Sequence, residues 1–170
     1  AGQKRLGHWD FNGDDWLVSV DGPRALASSD IERNSSFDGT GLSMSLEGGS
    51  RFTLSGVTKD GRLGIDCRNG TIRFMFRPDW STAGGGPGRE AVLVQVGERG
   101  KAGYWAWRIN AVGSRIEFRQ WDPARSAESA SFTGDLNLTA GEWYEFTLTY
   151  TRTLNGDGGS SKAVVNGRNV

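Results

Sequence analysis

The sequence predicts an all-β fold, a two-sheet antiparallel β-sandwich, on three observations. Apolar and polar residues alternate at period two in run after run, the spacing of strands with one buried face. Turn-forming clusters separate these runs, and 26 glycines stand against four prolines in 170 residues, the composition of a turn-rich chain. No stretch carries a helical stripe of useful length, so short strands must bury their apolar faces sheet on sheet.

Taken in order, LSMSLE (42–47) sets Leu42, Met44 and Leu46 on one face and Ser43 and Ser45 on the other. TIRFMF (71–76) groups Ile72, Phe74 and Phe76 as core, opposite Arg73, Met75 and Arg77. Pro78 then ends pairing, because proline has no N–H to donate. AVLVQVG (91–97) is almost wholly apolar and reads as a strand covered on both faces. YWAWRIN and SRIEFRQW form a hairpin across AVGS, with Trp105 and Trp107 sharing a face. Ile116 and Phe118 then point inward, and Arg115, Glu117, Arg119 and Trp121 point outward. DPARSAESASF shows only a weak helical turn. WYEFTLTY (143–150) opposes Tyr144, Phe146, Leu148 and Tyr150 to Trp143, Glu145, Thr147 and Thr149, and KAVVNG supplies a last short strand and turn.

The length suits one domain, residues 1–170, with a core large enough to need no staples. Twenty basic and twenty acidic side chains cancel, which gives no electrostatic case for a nucleic acid partner or an anionic membrane. No apolar run approaches the roughly 18 residues of a membrane span, so no membrane insertion is expected. Arginine outnumbers lysine sixteen to four; guanidinium groups hold carboxylates and sulfates bidentately. The N-terminal AGQKRLGHWDF lacks the apolar core of a signal peptide. Either a signal has been removed or the sequence is a domain cut from a longer chain.

Four segments together resemble the laminin G-like, concanavalin A-like jelly-roll superfamily in its bacterial form. GHWDFNG resembles the opening strand, and FDGTGLSMSL resembles the phrase that leads from a Gly-rich turn into a strand. GTIRFMFRPDW resembles the central strand with its Pro-Asp corner, and GEWYEFTLTYTR with KAVVNG resembles the tryptophan-led strand and closing hairpin. They cover most of residues 7–167. The resemblance implies a non-catalytic carbohydrate-binding or adhesion module of an extracellular, cell-surface or periplasmic protein. It also implies further strands beyond the Asn-Gly turn, so the chain reads as a fragment, or as a sheet that another domain or chain completes. Many members hold calcium with loop carboxylates; the candidates here are Asp10, Asp14, Asp38 and Asp157. In several members a concave outer sheet face or its rim binds glycans.

Glycoside hydrolases of this fold carry Glu-x-Asp-x-(x)-Glu on one strand, since retaining hydrolysis needs two carboxyls about 5 Å apart. No Glu here is followed two positions later by Asp, and an enzyme is not expected. His8 is the only histidine and Cys67 the only cysteine. This leaves no metal cluster of the His type and no Ser-His-Asp set with independent support. Cys67 alternates with Leu63 and Ile65 and reads as a small buried apolar residue.

Binding is the remaining class. Flat aromatic rings stack on the apolar faces of sugars at little entropic cost. Arg73, Arg77, Arg119, Trp121 and Trp80 are the candidate ligand contacts. If the outward sides of their strands share one surface, they make an Arg-rich, Trp-edged face suited to a glycan with uronate or sulfate groups. Two other classes stay open. A structural or protein-interaction domain would bury its tryptophans and expose an apolar patch. A polysaccharide-degrading enzyme would gather close carboxylates, or an Arg-Tyr-Glu cluster, in a groove.

Overall fold

The computed structural model describes residues 5–36, 38–45, 49–57, 60–61, 65–152 and 160–170. These residues form strands, turns and loops, with no helix among them, and every strand pairing is antiparallel. Two compact units result, Ala1–Asp66 and Cys67–Val170.

The first unit holds β1 (Ala27–Ser29), β2 (Ile31–Ser35), β3 (Thr40–Met44) and β4 (Arg51–Thr53). They make two two-stranded sheets, β1 with β4 and β2 with β3. Its aromatic centre is Phe52, met edge-on by Trp9 at 6.1 Å and Phe11 at 5.5 Å. Residues 7–13 form no strand, contrary to the expected opening strand; His8 alone bridges to Asp21. Met44 is 54% exposed, not core, because a two-stranded ribbon has too little neighbouring surface to cover both strands. Phe37, Leu46 and Leu63 lie outside the described residues.

The second unit is the sandwich. Its strands are β5 (Asn69–Phe76), β6 (Ala91–Val96), β7 (Trp105–Ile109), β8 (Arg115–Asp122), β9 (Ala127–Asp135), β10 (Tyr144–Thr151), β11 (Lys162–Val165) and β12 (Arg168–Asn169). One four-stranded sheet has the order β12-β11-β10-β5, and the other is the meander β6-β7-β8-β9. The chain leaves β5, builds the meander, and returns to lay β10 beside β5 over eight residue pairs.

Alternation decides which side chains face inward. Trp105, Trp107, Ile109, Ile116 and Phe118 from the meander are fully buried, as are Phe146, Leu148 and Tyr150 from β10. The two sheets meet where Tyr150 packs on Trp105 at 4.5 Å and on Phe118 at 6.2 Å. Phe146 stacks on Phe74 at 5.5 Å and meets Phe76 edge-on at 5.4 Å within its own sheet. Ile72, Phe74 and Phe76 face the core as expected, but β5 is an edge strand and they are only half-buried.

Turns fix the registers. Asn110 closes the β7–β8 hairpin by accepting the backbone N–H groups of Ser114 (2.9 Å) and Arg115 (3.0 Å) at its Oδ1. Asn166 and Gly167 both have positive φ, 50° and 78°, the pair of values that a two-residue type I′ hairpin requires, and they turn β11 into β12.

Three expectations fail for local reasons. β6 is not covered on both faces: it is the edge of the meander, it carries a bulge between Val92 and Val94, and Val92 is 47% exposed. The segment read as a weak helical turn supplies β9, whose small residues pair with β8 across a second irregularity at Phe118/Arg119. Bulges at both edges of this sheet discourage pairing with other chains. Cys67 is exposed, because it sits in the bend before β5, where the period-two pattern has not begun.

Phe118 touches the rings of Trp105, Trp107 and Tyr150 and so ties both sheets. Phe118→Ala is expected to cost about 3–5 kcal/mol, read as a lower urea midpoint. A loss below about 1 kcal/mol, the range of a surface change, would mean that the sheets are held together elsewhere.

Candidate functional site

The inward alternation of β7 forces Ala106 and Arg108 onto the opposite, outer face of the meander. The register sets Arg108 beside Val92 of β6 and Glu117 of β8, and Ala106 beside Gln95 and Arg119. One strand further, Trp121 pairs with Glu128, Arg119 with Ala130 and Glu117 with Thr133. This outer face therefore collects Gln95, Arg108, Glu117, Arg119, Trp121 and Glu128, with Arg115 and Asp135 paired at its far end.

Arg108 is its anchor. The side chain is 2% exposed although it points away from the sandwich core. Its Nη1 donates to both carboxylate oxygens of Glu90, and its Nη2 donates to Glu128 Oε1 and, at 2.9 Å, to the hydroxyl of Tyr104. Arg119 Nε donates to the same Glu128 oxygen at 2.6 Å, and its Nη1 reaches Glu117 at 3.2 Å. Arg99 Nε closes the other side, donating to Glu128 Oε2 at 2.9 Å. Glu128 thus accepts from three guanidinium groups. Arg108 Nε has no hydrogen-bond partner among the described residues. The planar fork of arginine suits this role, since one side chain can satisfy two carboxylates and a phenol at once.

The expected ligand contacts divide between two surfaces. Arg119 and Trp121 lie on the outer face of the meander. Arg73 and Arg77 belong to β5 and its end, on the outer face of the other sheet. The sheets meet through their inner faces, so the two outer faces look in opposite directions, and no single Arg-rich surface exists. Arg73 is spent on Glu145 at 2.8 Å while 69% exposed. Arg77 lies over the half-buried Trp143 ring, 5.4 Å from its centroid. Trp80 is half-buried, 6.4 Å from Phe76 between ring centroids. It lies so close to Gly113, at φ +69°, that a Cβ there would come within 2.6 Å of it, so Trp80 seats the β7–β8 turn.

Among the described residues, the calcium candidates Asp10, Asp14 and Asp38 do not form a cluster. Asp10 caps the backbone N–H of Asn12 and Asp38 accepts from the Ser36 hydroxyl. Asp14 is exposed, and its carbonyl accepts from Arg33. Among the described residues no three His, Cys, Asp or Glu come together as a metal site. Asp157 lies outside the described residues.

Sequence reasoning missed Glu90, Arg99, Tyr104, Arg108 and Glu128. The alternation in YWAWRI held a signal: if Trp105 and Trp107 face inward, Tyr104 and Arg108 must face out. Glu128 gave none, because its segment does not alternate like a strand. Elsewhere in the unit, burial lowers the Arg152 guanidinium below its ordinary range, and neighbouring Cys67 acts in the opposite sense.

No family model, curated protein or solved structure matches this chain.

Buried and exposed ion pairs of this protein should respond differently to truncation. Arg108→Ala leaves Glu90 without its cation and Tyr104 without its donor, and is expected to cost about 3–5 kcal/mol. Arg73→Ala removes a solvated pair and is expected to cost less than about 1 kcal/mol. Equal losses in urea unfolding would overturn this distinction.

Proposed function

We propose that this chain is a non-catalytic carbohydrate-binding or adhesion module of the laminin G-like kind, part of an extracytoplasmic protein. It meets its glycan with the outer face of the meander sheet. The observation that carries the proposal is the alternation of Glu117, Arg119 and half-exposed Trp121 along β8, held in place by the buried Arg108 and by Glu128. A sugar ring offers a polar edge of hydroxyls and an apolar face. Fixed donors and acceptors beside an indole ring match both, with little side-chain entropy left to lose. Arg73, Arg77 and Trp80 stand outside this face and are not assigned to it.

The same geometry argues against catalysis there. A general acid or base must exchange a proton with substrate. Both oxygens of Glu128 accept from arginines, and both oxygens of Glu90 accept from Arg108. Such carboxylates hold cations in place.

One observation favours a second reading, a protein-interaction domain. In the first unit Val18, Val20, Leu26, Met44 and Val57 stand exposed, and exposed apolar side chains mark docking surfaces when they are contiguous.

A polysaccharide array with the folded protein separates the two. Trp121→Ala is expected to weaken binding by about tenfold or more, the loss of roughly 1.4 kcal/mol. Its circular dichroism spectrum should stay that of the parent, and Arg73→Ala should leave binding as it was. Folded protein that binds no polysaccharide would move the function to the interaction domain.

A further inference from the structure

Resting on the proposed glycan face, we infer that its ligand is an uncharged polysaccharide rather than a uronate or sulfated one. The ionised side chains of this face balance: Arg99, Arg108, Arg115 and Arg119 against Glu90, Glu117, Glu128 and Asp135, four of each, a formal sum of zero. The balance is also local: the guanidinium groups of Arg99, Arg108 and Arg119 are each tied to a carboxylate of the same face, and Arg115 stands across from Asp135 at the far end of β8.

An anionic glycan gains little here. To pair with Arg119 it must come up beside Glu117 and Glu128, which already hold the Nη1 and Nε of that guanidinium, so the incoming charge meets two like charges at once. Arg108 cannot be reached at all, being 2% exposed. A like charge left in that position disfavours the wrong ligand as strongly as any contact favours the right one. Hydroxyl groups meet no such conflict. Each can donate to a glutamate oxygen and accept from a guanidinium N–H at once, so an alternating Arg/Glu grid suits a polymer of neutral hydroxyls. Gln95 extends that pattern without charge: it lies on the same face and donates its Nε2 hydrogen to Gly97 O at 3.0 Å, which leaves the amide oxygen as an acceptor. Trp121 supplies the apolar platform. The arginine excess of the sequence therefore does not act as an anion trap on this surface.

The test is affinity electrophoresis of the full chain through gels containing a neutral β-glucan, a neutral mannan, a polyuronate or a sulfated galactan, each at low and high salt. The expected result is retardation by a neutral polymer, with a Kd that changes less than about twofold between 20 and 500 mM NaCl, since screening acts on charged partners. The polyuronate and the sulfated galactan are expected to bind at least about tenfold more weakly, or not at all. A second variant probes the balance itself. Glu117→Gln leaves the face with one uncompensated positive charge and should raise polyuronate affinity by about threefold or more relative to neutral polymer. Strong, salt-sensitive retardation of the parent by the polyuronate or sulfated galactan overturns the inference and leaves the glycan face standing. An unchanged polymer preference in Glu117→Gln also overturns it. Retardation by none of the four polymers overturns the glycan face and this inference together.

Discussion

The second unit depends on one contact across its middle, the packing of Tyr150 against Trp105 and Phe118. These residues come from the central strands of the two sheets, so the contact sets which way each strand faces. A one-residue slip would turn every side chain of the strand to the other face, exposing Phe118 in β8, or Tyr144, Phe146 and Tyr150 in β10. Aromatic pairs of this kind add about 0.5–1.5 kcal/mol each beyond the area they bury, and the cluster also includes Trp107 and Phe132. One core donor pairs and another does not: Trp105 Nε1 reaches the carbonyl of Cys67 at 3.1 Å, whereas Trp107 Nε1 has no partner among the described residues. The core therefore tolerates one unpaired indole N–H to keep a large ring where the sheets meet.

The outer face follows from the inner one. Once Trp105, Trp107, Ile116 and Phe118 are committed inward, Arg108, Glu117 and Arg119 have nowhere to go but outward. Arg108 sits on a central strand, where neighbours on both sides cover it, and burying its charge is tolerable only because two carboxylates and a phenol receive it. Removing water strengthens each of those bonds and makes the arrangement stiff. The polar face is thus fixed from below, which is what a binding surface needs and what a row of independent surface charges would lack.

What was legible in the sequence tracks how far each signal depends on neighbours along the chain. The alternation of TIRFMF, SRIEFRQW and WYEFTLTY gave the strands and their inward residues, because period two is a local property. The hairpin across AVGS and the Asn-Gly turn were legible for the same reason. Whether Arg73 and Arg119 share a surface is a question of which sheet each strand joins, and no local pattern carries that. The exposure of Val92 is hidden for the same reason: an apolar run looks the same at the edge of a sheet as in its centre. Cys67 appeared buried because a strand pattern was extended past the strand's end. β9, rich in Ala and Ser, had too little apolar contrast to show any period.

The two units also differ in how much of themselves they bury. In the first, Ala25 is the only apolar residue fully buried among those described, and its aromatic centre of Trp9, Phe11 and Phe52 remains half-exposed. In the second, whole strands are sealed; all five residues of β7 are buried. Local stability rises with buried apolar contact, so resistance to opening is concentrated in the sandwich. The charge network is anchored by Arg108 on its most deeply covered strand. A surface meant to hold donors and acceptors at fixed spacing belongs on the part of the molecule that opens least, and Glu117 and Arg119 on β8 are paired directly to β7, which is that part.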